Sequence, residues 1–172
     1  MRPTRAATLA VAATASLALA STALLAQSPT AVRSRGEYLA TIMDCGGCHT
    51  GGALAGQPDP RLHLAGSGIG FGIPGVGIVY PPNLTPDRET GLGAWSEAEI
   101  IRAVRTGVRP DGRVLAPVMP WHNYAALTNE DARALAGYLR SLPPVRNRTP
   151  PLTGANEAPP APYLTLVTPP AR

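Results

Sequence analysis

The stretch Cys45-Gly46-Gly47-Cys48-His49 constrains this chain more than any other. Two cysteines separated by two residues, with a histidine directly after them, match the pattern of covalent haem attachment. The spacing has a chemical reason. Two thiols on one short turn reach the two vinyl groups of a single haem, and the adjacent histidine reaches its iron. A Cys-x-x-Cys pair also occurs as a redox couple or as half of a zinc site. The chain holds only two cysteines, so a thiolate-rich zinc site is excluded. A thioredoxin-like pair opens a helix after a strand. Here the pair follows a helical pattern and leads into a glycine-rich stretch. The chain must therefore wrap around a haem held at one turn.

The length of 172 residues suits one domain. The first residues are expected to stand outside it. Arg2 and Arg5 precede an unbroken run of small and apolar residues from Ala6 to Ala20, and Ala18-Leu19-Ala20 is a small-x-small cleavage pattern. Residues 1–26 thus form a secretory signal peptide. Left uncleaved, the run to Ala26 is about long enough to act as a membrane anchor. Either outcome exports the domain and places it in the periplasm, which suits a covalent haem. Both cysteines are assigned to haem, so no disulfide is expected. The basic residues are all arginine; beyond the leader, thirteen face eleven acidic residues, which gives no sign of nucleic-acid binding. Large apolar residues are scarce, with one phenylalanine in the chain. Such a domain buries a modest core, which a haem would complete.

Three main helices are expected, with long loops between them. The first begins near Ser34, where Ser34-Arg35-Gly36-Glu37 fits a capping box, and Tyr38, Leu39, Ile42 and Met43 form its apolar face. The second begins at Ser96, with Ser96-Glu97-Ala98-Glu99 as another capping box and Gly107 as its stop. The third begins at Thr128, carries Leu135, Tyr138, Leu139 and Leu142 on one face, and ends at Pro143-Pro144. Residues 50–94 show no helical or alternating period. Gly70-Phe71-Gly72-Ile73-Pro74-Gly75 matches a nucleotide-binding glycine pattern by letter only, because no strand or helix is expected beside it. Its expected role is a loop close to the haem. Residues 145–172 are rich in proline and are expected to form an extended, mobile, solvated tail.

Iron also needs a sixth ligand. Met43 lies on the first helix and is expected in the core. Met119 lies in a proline-bracketed loop that can cross the distal face, and it is the expected ligand. His122 and His63 are its competitors. Thioether ligation favours ferrous iron and raises the potential.

With Cys45 to His49, Met119 and the two flanking helices, the chain resembles class I cytochrome c over residues 33–144. The resemblance implies an all-α, small cytochrome c-like domain around one covalently bound haem c. It implies that an aromatic residue of the last helix packs against a glycine of the first, a role open to Gly36. Tyr80 through Ser96, Gly107 through Arg113 and Met119-Pro120 look more specifically like cytochrome subunits of bacterial membrane-associated dehydrogenases. By that resemblance Trp95 donates its N–H to a haem propionate, and Asn83 and Arg109 lie near the propionates. The expected function is single-electron transfer from a dehydrogenase to a respiratory chain, not catalysis. Redox proteins are then the partners, and membrane association would run through the N-terminal segment or a partner. A haem enzyme or gas sensor with a labile sixth ligand, or a haem-bearing assembly subunit, are the alternatives.

Overall fold

The computed structural model describes residues 28–169. The leader expected over residues 1–26 lies outside them. Five helices and one small sheet follow in the order α1 (Pro29–Ile42), α2 (Cys45–His49), β1 (Gly70–Ile73), β2 (Gly77–Val79), α3 (Glu97–Thr106), α4 (Trp121–Tyr124), α5 (Asn129–Ser141) and β3 (Tyr163–Leu164). The three long helices are those expected. No described helix is long and apolar enough to cross a membrane.

α3 and α5 begin where their caps predict. The Ser96 hydroxyl accepts the Glu99 N–H while the Glu99 carboxylate accepts the Ser96 N–H, a complete capping box. Thr128 caps α5 by accepting the Asp131 N–H at 3.0 Å. α1 differs. It begins six residues before Ser34, at a Ser28 cap followed by Pro29, which suits the first turn. Ser34 is mid-helix, and its hydroxyl donates to the Thr30 carbonyl at 2.7 Å. The capping pattern is local, and an upstream start converts its serine into an interior residue.

The buried face of α1 also differs. Gly36, Leu39 and Ala40 are buried, with Val32 and Met43 half-buried beside them. Tyr38 and Ile42, expected on that face, are 53% and 59% exposed. The cause is a backbone contact. A side chain added at Gly36 would place its Cβ 2.6 Å from the Cβ of Tyr138 on α5. The helices meet at Gly36, so the residues that turn toward the core are those at i+3, i+4 and i+7 from it. Tyr38 turns outward, with the Arg35 guanidinium 5.4 Å from its ring centre. The core gathers Leu39, Ala40, Leu64, Ile100, Leu135, Tyr138, Leu139 and Leu142.

Residues 50–94 hold more order than their composition predicts. β1 and β2 pair antiparallel, with Gly72 opposite Ile78. The glycine pattern is the first strand and its turn. Val76 N–H donates to the Ile73 carbonyl at 3.0 Å, with Pro74 and a positive-φ Gly75 between them. The tail is extended as expected, but it is docked. Thr153 bridges to Ile78 of β2 on the edge away from β1, and β3 pairs parallel with β1 on the other side, giving the order β2-β1-β3. A hairpin offers two edges of unpaired N–H and C=O groups, and the residues between the prolines fill both.

Candidate haem site

α2 carries both cysteines and the histidine. It begins at Asp44, which adopts the left-handed conformation at φ 54 and accepts the Gly47 N–H on its carboxylate at 3.2 Å. A Cβ at Gly47 would lie 2.7 Å from the Asp44 Cγ, so this cap requires a small residue between the cysteines. Both thiols are free. Burial is the main cause that pushes Cys45 up to about 11 and Cys48 upward. Both therefore stay protonated near neutral pH.

His49 is 7% exposed. Its Nδ1 lies 2.7 Å from the Pro82 carbonyl. A carbonyl only accepts, so Nδ1 carries the proton and Nε2 keeps its lone pair. Burial pushes the imidazole pKa down, opposed in part by the Pro82 bond, so the ring is neutral. The Gly66 N–H donates to the His49 carbonyl at 2.7 Å, holding the residue from its other side. Two free thiols and a neutral imidazole with an open Nε2 are the donor set a covalent haem requires. Among the described residues no group of three or more His, Cys, Asp and Glu could hold a bare metal ion.

Met119 is half-buried in the segment between α3 and α4. That segment is held at both ends. Gly107 closes α3 at φ 72, and its carbonyl accepts the Leu115 N–H at 2.7 Å. The Met119 N–H donates to Ala116 at 2.9 Å, and its carbonyl accepts the Trp121 N–H at 2.8 Å. The Trp121 ring lies on Gly107, where a Cβ would meet it at 2.7 Å. The Trp121 Nε1–H is buried with no acceptor among the described residues. Tyr124 then ties this segment to the C-terminal end of α1, two residues before Cys45, donating its hydroxyl to the Met43 carbonyl at 2.8 Å. Burial, followed by the charges of Cys45, Cys48 and Asp44, raises the Tyr124 phenol to about 12.

The other expected contacts divide. Trp95 and Arg109 come together, with the guanidinium 5.1 Å from the ring centre and Asp111 on its outer side at 3.3 Å. Asn83 goes elsewhere. Its amide donates to Thr90 Oγ1 at 3.0 Å and the Val145 carbonyl at 2.7 Å, and its Oδ1 accepts from Thr85. Both donor hydrogens are used within the protein, which leaves none for a propionate. His63 is exposed, with Nε2 3.5 Å from the Tyr138 hydroxyl. His122 is also exposed and edge-on to Trp121. Pro82 and Tyr124 escape sequence reasoning, because a backbone carbonyl and a lone tyrosine carry no pattern. Asp44 had a signal: an Asx residue three before Gly47 is an N-cap arrangement.

A family model described as cytochrome c matches residues 34–143. The alcohol dehydrogenase (quinone) cytochrome c subunit of Gluconobacter oxydans (strain 621H) is 40% identical over 119 residues, covering 67% of this chain and 23% of the relative. The gluconate 2-dehydrogenase cytochrome c subunit of Pantoea cypripedii is 42% identical over 104 residues, covering 60% and 22%. The fructose dehydrogenase cytochrome subunit of Gluconobacter japonicus is 41% identical over 106 residues, covering 62% and 20%. The chain thus spans about a fifth to a quarter of the length of these relatives.

Proposed function

The chain belongs to the cytochrome c family, and from that premise we propose that it carries single electrons from a dehydrogenase toward a respiratory chain in the periplasm. One haem, held at the single Cys-x-x-Cys-His motif, would supply the one-electron couple. Cys45 and Cys48 would hold it through thioethers, His49 would offer Nε2 to the iron, and Met119 would offer its sulfur as the second protein ligand. Trp95 and Arg109 form the candidate propionate contact.

The observation that carries the reading is the His49–Pro82 hydrogen bond. It sets the tautomer, aims Nε2 and makes the imidazole a stronger donor. With Met119 as sixth ligand, the iron would be held by two protein side chains and would supply a one-electron couple. Neither side chain would need to leave as the charge changes, so such a site favours electron transfer with little rearrangement over substrate chemistry at the iron. The dehydrogenase partner is supported by the relatives, whose names make them cytochrome subunits of such enzymes. The periplasmic place is supported by the leader-like residues 1–26.

The ferric protein is expected to show the weak band near the red edge of the visible spectrum that marks methionine–iron bonding. Met119→Ala should abolish it and lower the reduction potential. Absence of the band in the unsubstituted protein, or rapid carbon monoxide binding to its reduced form, would overturn the assignment.

A further inference from the structure

We infer that the tail segment 145–149 is a strap that fixes the orientation of His49, with Asn147 and Thr85 as positioning residues. This rests on the reading of His49 as iron ligand. Two loop segments hold His49. Gly66 binds its carbonyl, and Pro82 binds its Nδ1, each at 2.7 Å. The strap lies against both. Asn147 donates its amide to the Ala65 carbonyl at 2.8 Å, one residue before Gly66. The Thr149 methyl fills the space beside Gly66 that a Cβ would need. On the other segment, Val145 receives the Asn83 amide at 2.7 Å and gives its N–H to Thr85 Oγ1 at 3.1 Å. Asn83 directly follows Pro82. The Asn147 N–H closes the knot on Thr90 Oγ1 at 3.1 Å.

The knot is buried where it matters. Ala65 is 0% exposed, and Asn83 and Thr85 are each 1% exposed. Buried amides and carbonyls without partners are costly, so these loops depend on the strap for their hydrogen bonds. Pro143-Pro144 and Pro150-Pro151 flank the segment. They restrict the unbound chain and so lower the entropy lost on docking. The strap lies beyond the residues that match the family model. A firm Pro82 acceptor strengthens the imidazole as a donor and favours ferric iron. Loosening the strap therefore raises the reduction potential.

Hydrogen exchange by NMR on the reduced, haem-loaded full chain tests this without a substitution. The Val145 and Asn147 N–H groups should exchange within about tenfold of Gly66 N–H and His49 Nδ1–H, as one cooperative unit. Tail amides that exchange more than about a hundredfold faster, with Gly66 still protected, would overturn the strap. Asn147→Ala and Thr85→Val should each speed His49 Nδ1–H exchange by about fivefold or more and raise the potential. Arg133→Gln, exposed on α5 and outside the strap, should change neither. Unchanged exchange and potential in both strap variants refutes the inference. Failure of the ligand reading looks different: the His49 ring protons of the unsubstituted protein would then lack the large shifts of an iron-bound imidazole.

Discussion

α1 and α5 each contain an interior glycine, and the structure assigns them opposite roles. Replacing a helical glycine by alanine stabilises by about 1 kcal/mol where nothing obstructs the new methyl. At Gly137 the nearest atom to an added Cβ is Val32 Cγ1 at 4.0 Å, an ordinary contact. Gly137→Ala should therefore stabilise by about 0.5–1 kcal/mol. At Gly36 the same methyl would lie 2.6 Å from Tyr138 Cβ and 2.8 Å from the Ala134 carbonyl carbon, and closer still to that carbonyl's oxygen. Comfortable carbon contacts begin near ~3.5 Å, so the helices must part by about 1 Å at their crossing. The obstructing atoms are backbone and Cβ, which cannot rotate aside. Overpacking of this kind costs about 1–3 kcal/mol, and a rigid obstruction belongs at the upper end. After the gain in helix propensity, Gly36→Ala should destabilise by about 2 kcal/mol. The two variants should thus differ by about 3 kcal/mol, or about 2 M in urea midpoint at a slope of about 1.5 kcal/mol per M. Urea unfolding of the haem-loaded variants, followed by far-ultraviolet circular dichroism, measures the gap. If both substitutions stabilise alike, α1 and α5 do not meet at Gly36, and the account of the exposed Tyr38 and Ile42 fails with it.

Gly107→Ala adds a methyl 2.7 Å from the Trp121 ring at a residue with φ 72. It should destabilise by about 2 kcal/mol or more, and the methionine–iron band should melt before the helices do. Asp44→Ala removes the cap of α2 at about 1 kcal/mol, whereas Asp44→Asn keeps both the acceptor and a tolerance for left-handed backbone. Thermal unfolding should rank them wild type ≈ Asn > Ala; equal losses for both would point to charge, not capping. Asp131 is held below the usual carboxylate range chiefly by its hydrogen bond from Arg35, against the opposing effect of burial. Its folded pKa is depressed, so this stabilisation is complete above the unfolded value near ~4 and is lost as pH falls through the folded one. The difference in urea midpoint between wild type and Asp131→Asn should shrink over that acid range. A difference independent of pH would refute the ion pair.

Much of the site was legible because its chemistry is written in short spacings. Cys45, Cys48 and His49 occupy one turn of chain. Ser96 with Glu99, and Thr128 with Asp131, hold their partners within four residues, so caps and helices could be placed without knowing what packs on them. The single motif and the lone loop methionine define the candidate donor set. What lay beyond reach depends on contacts across long separations. Gly36 meets Tyr138 about a hundred residues later, and only that crossing decides which face of α1 is buried. The Ser34 pattern misplaced the start of α1 because an N-cap signal cannot reveal a stronger one upstream. Pro82 is chosen by the fold through its carbonyl, a group every residue has. The tail read as a solvated arm because its prolines rule out regular structure, yet proline restricts only its own N–H and φ. The residues between the prolines keep their donors and acceptors, and the hairpin edges and the buried loops behind His49 supply the partners. Composition determined that the tail would be extended. Tertiary structure decided that it would be bound, because those loops hold polar groups that need partners which they lack within themselves.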